Sequence, residues 1–291
     1  MKPAPFVHHA PRTVDEAVAA LVAAGGDGKV LAGGQSLIPL LSMRLAAPGH
    51  LVDLDGVAGL DTIEVTDTHV RVGALVRHAA LEAHDDAATA LPLLRQALRN
   101  VAHPAIRSRG TTVGSIAHAD PAGEMPAVAV LSGAVVEAVG PGGAREIAAG
   151  DFFAGPLETT LDPDEIVVAV RFGRFPAGTR TAFLESSRRS GDYALAGVAV
   201  AVQVGDDGAV ATARASFVGV TPVPDLLDLG GVLGGLRPGD PVPGGVADAV
   251  AAHVDPESDI HASADYRRML AAELTRRALG ATLVETTRGA A

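Results

Sequence analysis

The sequence predicts an α+β protein in two parts, and three observations carry that prediction. Helical and extended patterns alternate through the first part of the chain, and three long strand-like runs then follow one another. Between them lies Arg174-Phe175-Pro176-Ala177-Gly178, a stretch with the composition of a linker. With 291 residues, 48% hydrophobic and 20% charged, the chain can bury substantial cores, and its length suits two domains or one large one.

Thr13-Val14-Asp15-Glu16 matches the Ser/Thr-x-x-Glu capping box. Val18, Leu21 and Val22 continue a helical stripe that Gly25-Gly26 stops. Lys29 to Leu31 reads as a short strand that delivers Ala32-Gly33-Gly34-Gln35-Ser36-Leu37 and places Gly33 and Gly34 at a helix start. From about Gly56 a second lobe begins, with a hairpin of Thr62 to Val65 and Val70 to Ala74 around Asp67-Thr68. A helix from Leu91 to Val101 ends before Pro104.

A second glycine-bearing loop follows at once, from Arg109-Gly110-Thr111-Thr112-Val113-Gly114-Ser115 to Glu124. Val135 to Val139 and Arg145 to Ile147 form a hairpin through Gly140-Pro141-Gly142-Gly143, and Glu165 to Phe172 is strand-like. Beyond the linker, Ala182 to Ser187, Ala194 to Val204 and Ala209 to Val220 read as antiparallel strands, with Asp206-Asp207-Gly208 as a turn. Gly230 to Gly245 is rich in Gly and Pro and reads as a surface loop. The last helix, Ser263 to Leu279, carries Tyr266, Met269, Leu270, Glu273, Leu274 and Arg277 at helical spacing, to pack on the C-terminal sheet.

Composition excludes several functions. The net charge is −11, and the Lys and Arg residues are scattered, so the chain has no electrostatic footprint for nucleic acid or an anionic membrane. Cys is absent, which excludes disulfides, thiolate-held zinc, a catalytic thiol and any cysteine-ligated iron–sulfur cluster in this chain. The N-terminus lacks an apolar signal core and no run of about 18 apolar residues occurs, so a cytoplasmic location without membrane insertion is expected. Histidine spacing argues for no metal site, and neither a nucleophile elbow nor a triad is present.

Glycine suits a cofactor loop because bare backbone can approach a ligand and consecutive N–H groups can converge on phosphate oxygens. The spacings fit neither the P-loop nor G-x-G-x-x-G opening a helix, so those two readings fall. On residue chemistry alone each loop is either a tight turn or a ligand cradle.

Three motifs in this order narrow the choice: Val30-Leu31-Ala32-Gly33-Gly34-Gln35-Ser36-Leu37-Ile38-Pro39, then Arg109-Gly110-Thr111 through Gly114-Ser115-Ile116-Ala117-His118-Ala119-Asp120-Pro121 to Glu124, then Arg188-Arg189-Ser190-Gly191-Asp192-Tyr193-Ala194. The chain resembles, over nearly its whole length, the FAD-binding medium subunit of molybdenum hydroxylases. That family includes the flavoprotein subunit of aerobic carbon monoxide dehydrogenase and the flavin domain of xanthine dehydrogenase.

The resemblance implies a two-lobed PCMH-type FAD-binding domain over residues 1–176, with sub-lobes of about 1–55 and 56–176. A C-terminal domain of antiparallel sheet plus helices would cover residues 177–291. It implies that Ala32, Gly33, Gly34, Gln35, Ser36 and Leu37, with Thr111, Thr112, Val113, Gly114 and Ser115, contact the FAD pyrophosphate. Glu124 would hold ribityl or ribose hydroxyls, a role open to a carboxylate that accepts hydrogen bonds, or else be a solvated loop charge. His118 would bond the cofactor or support the loop. Tyr193 would cover one face of the isoalloxazine ring or be a core Tyr with a satisfied hydroxyl. Ile166 would be a wall of the site or a core residue.

In one place the sequence departs from the family pattern: Val113 stands where that pattern usually has glycine. Either the backbone there is ordinary or the phosphate site is altered. The implied function is electron transfer with no catalytic side chain of the chain's own, since the cofactor carries the redox chemistry. Electrons would come from [2Fe–2S] clusters on a small partner subunit, fed by a molybdenum cofactor on a large one, and would pass to NAD, a quinone or oxygen; the resemblance implies a dimer of heterotrimers. A free-standing FAD oxidoreductase and a degenerate, flavin-free structural subunit are the alternatives.

Overall fold

The computed structural model describes residues 1–284. The chain forms two compact units, the first comprising Met1–Ala90, Ala102–Asp120 and Gly133–Arg174, the second Leu91–Val101, Pro121–Ser132 and Phe175–Ala291. Residues 285–291 of the expected C-terminal domain lie outside the described residues.

The chain opens with β1 (Val7–His9), α1 (Val14–Ala24), β2 (Gly28–Leu31), α2 (Leu37–Met43) and β3 (His50–Asp53). The strands form a parallel sheet in the order β1-β3-β2, and parallel neighbours need crossovers, which the helices supply. Thr13 caps α1 by accepting the Glu16 N–H at 3.1 Å, and Gly25 ends it in the left-handed region at φ 60°. Glu16 does not complete the capping box; its carboxylate accepts from the Arg12 N–H at 2.7 Å. Val22 leaves the predicted apolar stripe and is exposed, lining a shallow groove with Val18, Val139 and Pro141.

β4 (Ile63–Val65) and β5 (His69–Gly73) form the predicted hairpin. Helices then follow closely: α3 (His78–Ala83), α4 (Asp85–Ala90), α5 (Pro92–Leu98), α6 (Pro104–Arg107), α7 (Thr112–His118) and α8 (Glu124–Leu131). Next come β6 (Val135–Gly140), β7 (Gly143–Ala148), α9 (Ala149–Phe152), β8 (Phe153–Gly155), β9 (Glu158–Thr159) and β10 (Ile166–Gly173). The sheet β4-β5-β10-β6-β7 is antiparallel throughout. Val70, Val72, Val136 and Ala138 alternate into the core, and Glu137 points to the other face. There Arg71 and Arg171 stand opposite each other in register, and Glu137 bridges both, at 2.8 Å and 3.4 Å.

In the second unit, β11 (Thr179–Ser187), β12 (Ala194–Val204), β13 (Val210–Val218) and β14 (Leu227–Asp228) pair antiparallel in that order. α10 (Gly230–Leu233), α11 (Gly245–His253) and α12 (Ala264–Thr282) complete it. β12 is buried from Ala194 to Val202, as its nearly unbroken apolar run requires. Ala196, Val198, Val200 and Val202 pack in one core with α10, α11 and α12, while α8, buried from Met125 to Leu131, packs on the same sheet outside that core.

Two expectations are corrected here. The Gly230 to Gly245 stretch is not simply a surface loop: Leu229 and Leu233 are fully buried, and α10 sits on the sheet. Glycine density hides that helical turn. On α12 the buried face is Arg267, Ala271, Leu274, Thr275, Ala278 and Leu279, whereas Tyr266 and Met269 are exposed. Small residues at Ala271 and Ala278 let the helix lie close to the strands, and bulk is left outside. The buried Arg267 is satisfied in part by Leu195 O and Asp259, each at 2.7 Å.

Candidate functional site

The two glycine-bearing loops of the first unit touch. A Cβ placed on Gly33 would lie 2.5 Å from Arg109 O, 2.7 Å from Gly110 Cα and 2.9 Å from Thr111 N. Only glycine allows that approach. Gly34, at φ 72°, needs glycine for a different reason, since few L side chains adopt that backbone. α2 starts at Leu37 behind the N-cap Ser36, so Gly33 and the left-handed Gly34 precede the helix instead of opening it.

The first loop leaves its donors unspent. Among the described residues no hydrogen bond uses the N–H of Gly33, Gly34, Gln35, Ser36 or Leu37; the first amide engaged is that of Ile38, which donates to Gly34 O at 3.0 Å. Gln35 Nε2 donates to Gly33 O at 3.1 Å, and the loop is half-buried throughout. Successive unengaged N–H groups on a tight bend form an anion-binding concavity.

The second loop is a helix start. Thr111 caps α7 through its Oγ1, which accepts the Gly114 N–H at 3.2 Å, and Ser115 N–H donates to Thr111 O at 3.0 Å. Thr111, Thr112 and Val113 are buried, so their side chains face inward, and the N–H groups of Thr111 and Val113 carry no hydrogen bond among the described residues. A Cβ on Gly114 would collide with Thr111 Oγ1, so this glycine protects the cap. Ser115 and Gly114 are half-buried.

Val113 has an ordinary helical backbone, and at 2% exposure its side chain belongs to the core. Of the two possibilities open in the sequence, the ordinary backbone is the one observed. His118 ends α7; burial chiefly lowers its pKa, with Asp120 opposing and the Lys29 charge adding to the effect. Ile166 is 1% exposed within β10, the core role of the two allowed to it.

Two predicted residues belong to the second unit. Glu124 begins α8, and burial first, then its negative charge, push Glu185 of β11 up to about 8. Glu185 Oε2 is buried with no hydrogen-bond partner. Tyr193 is 68% exposed, which removes the core role. Sequence reasoning missed Arg77, His78 and Glu185, because none of them stands in a motif. No group of three or more metal-ligating side chains occurs among the described residues, and no helix there is long and apolar enough to cross a membrane.

Comparisons with known proteins agree with this geometry. Residues 4–174 match the family model described as the FAD binding domain in molybdopterin dehydrogenase, and residues 181–282 match the CO dehydrogenase flavoprotein C-terminal domain. The chain is 40% identical over 278 residues to the nicotine 6-hydroxylase medium subunit of Paenarthrobacter nicotinovorans, covering 94% of this chain and 96% of that one. It is 36% identical to the carbon monoxide dehydrogenase medium chain of Hydrogenophaga pseudoflava, covering 97% and 98%. Reconstituted CO dehydrogenase from Oligotropha carboxidovorans contains a chain that superposes with a TM-score of 0.92 at 36% identity, over 97% of this chain and 99% of that one.

Proposed function

The chain belongs to the FAD-binding medium subunits of the molybdenum hydroxylases, as an oxidoreductase flavoprotein subunit, and from this premise we propose that it relays electrons between partner subunits and an external acceptor. A small [2Fe–2S] subunit would deliver them, a large molybdenum subunit would generate them, and NAD, a quinone or oxygen would receive them. A dimer of heterotrimers in the cytoplasm completes the reading.

The observation that carries it is the contact of the two loops around unengaged backbone N–H groups. Amides donate without bringing a charge of their own, which suits a pyrophosphate held by geometry. Gly33 to Leu37, with the N–H groups of Thr111 and Val113, would hold the phosphates, and Gln35, Ser36 and Ser115 can add side-chain donors. Thr112 and Gly114 act through the shape they give α7. The resemblance assigns Glu124 to sugar hydroxyls and Tyr193 to the ring face, where an exposed aromatic side chain would gain contact area. His118, kept neutral, offers one donor and one acceptor at the far end of α7. When bound, FAD supplies the redox chemistry, and the chain supplies binding and orientation.

The case for a degenerate subunit depends on Val113, and a buried Val on a helical backbone argues against it. The test is a visible spectrum of the purified chain, followed by chromatography of the heat-released cofactor. Oxidised-flavin bands with released FAD are expected; colourless protein that also refuses added FAD would overturn the reading. Copurification with an iron–sulfur polypeptide checks the assembly.

A further inference from the structure

We propose that Arg77 and His78 are positioning residues that set the separation of the two cofactor-holding loops. The inference depends on the flavin reading of those loops and assigns a role to two side chains that this reading leaves unused.

The second loop is clipped at successive residues. Arg77 pairs with Thr111 in an isolated antiparallel bridge, its Nη1 donates to Arg109 O at 2.6 Å, and its Nη2 donates to Asp55 Oδ1 at 2.5 Å. One guanidinium therefore ties the loop to the turn that follows β3, and a planar fork holds two acceptors in a fixed relation. The His78 N–H donates to Gly110 O at 2.9 Å, and its Nδ1 lies 3.1 Å from Thr112 Oγ1. Val76 O accepts the Thr112 N–H at 3.2 Å. The loop enters from α6, which Arg107 anchors by donating to Glu82 at 2.9 Å and to Ala102 O at 3.0 Å.

These bonds matter because of what packs on the clipped segment. Gly33 lies against Arg109 O and Gly110 Cα, so the place of Gly110 dictates the place of the first loop. His78 itself touches Gly110: a Cβ there would sit 3.0 Å from His78 Cδ2. Donors on two separate loops can serve one anion only if their spacing is held to a fraction of an ångström, since hydrogen bonds weaken steeply outside a narrow range of length and angle. His78 is buried and neutral, its pKa lowered to about 4 by burial first and by the Arg107 charge second. Its bond to Thr112 needs one polar atom at the Nδ1 position, which Asn can supply and Leu cannot.

The test measures FAD affinity by flavin fluorescence on the full chain, at a temperature where circular dichroism shows each variant folded. His78→Leu and Arg77→Gln should each weaken FAD about tenfold, and His78→Asn should stay within about threefold of the wild type. In a Gly33→Ala background, where the loop contact is already spoiled, the His78→Leu effect should shrink to less than about threefold, a coupling that general loss of stability would not produce. Unchanged affinity in folded His78→Leu and Arg77→Gln, or full additivity with Gly33→Ala, would overturn the proposal. If His78→Leu does not fold, Arg77→Gln decides alone. Wild-type chain that takes up no FAD would instead overturn the functional reading.

Discussion

In the first loop glycine frees the backbone: Gly34 takes a left-handed turn, Gly33 presents a bare surface, and the N–H groups from Gly33 to Leu37 are left without protein acceptors. In the second loop nearly every group is committed, with Thr111 capping α7, Thr112 bonded to His78, and Arg109 and Gly110 accepting from Arg77 and His78. The first loop offers most of the donors, and the second adds the N–H groups of Thr111 and Val113 while fixing where both loops stand. Two similar glycine patterns therefore do different physical work, and what separates them is how much of each backbone the protein itself engages.

The contact between the loops is where this contrast is easiest to break. Gly33→Ala places a methyl group inside the van der Waals radii of Arg109 and Gly110, so the loops must part; FAD affinity should fall by more than about 100-fold, measured by titration of the apoprotein. An affinity within threefold of the wild type would show that the contact is incidental.

The second loop should also be the one whose stability responds to acid, because His78 is buried and its folded-state pKa of about 4 lies below the ordinary 6.5. The unfolded chain binds the proton more readily, so stability is fully present above about 6.5 and is lost as pH falls toward 4, by about 3 kcal/mol at the limit. Urea unfolding of wild type and His78→Asn across that window should show the slope in the first and not in the second.

Val113 sharpens the contrast from the inside. Val113→Gly restores the usual family residue, yet it removes a buried side chain and puts glycine in a helix, so it should cost about 2–3 kcal/mol while leaving FAD affinity within about twofold. Tighter binding by the glycine variant would show that the second loop, too, is limited by its backbone.

A separate effect lies away from both loops. Glu185 titrates near 8 instead of 4.5, so its contribution to stability is present below about 4.5 and is lost as pH rises through 8. Glu185→Gln should flatten that decline between about pH 4.5 and 8 in thermal unfolding, and a decline of unchanged steepness would place its origin elsewhere.

Much of this was legible from residues. The capping Thr13, the alternation of β6 and the apolar run of β12 predict their elements because each pattern is local. α10 was hidden by its glycines, and the exposure of Tyr266 and Met269 follows from which face of α12 meets the sheet, a tertiary choice that helical spacing cannot show. At the site, the loops could be named from sequence, but their contact could not, since Gly33 and Gly110 meet only through folding. Arg77 and His78 escaped for the same reason: their partners are two backbone carbonyls, one hydroxyl and one carboxylate far off in the chain, which leave no pattern in the sequence.

α8 belongs to the second unit although it is made before the first is complete, and from Met125 to Leu131 it has no solvent-facing side. The strand it packs on, β12, begins at Ala194. At about 5–20 residues per second the ribosome takes roughly 3–13 s to reach that strand. Through that interval α8 has α5 beside it but not the sheet that completes its cover, so one greasy flank stays open during synthesis. Truncation at residue 174 would leave that flank permanently without its cover.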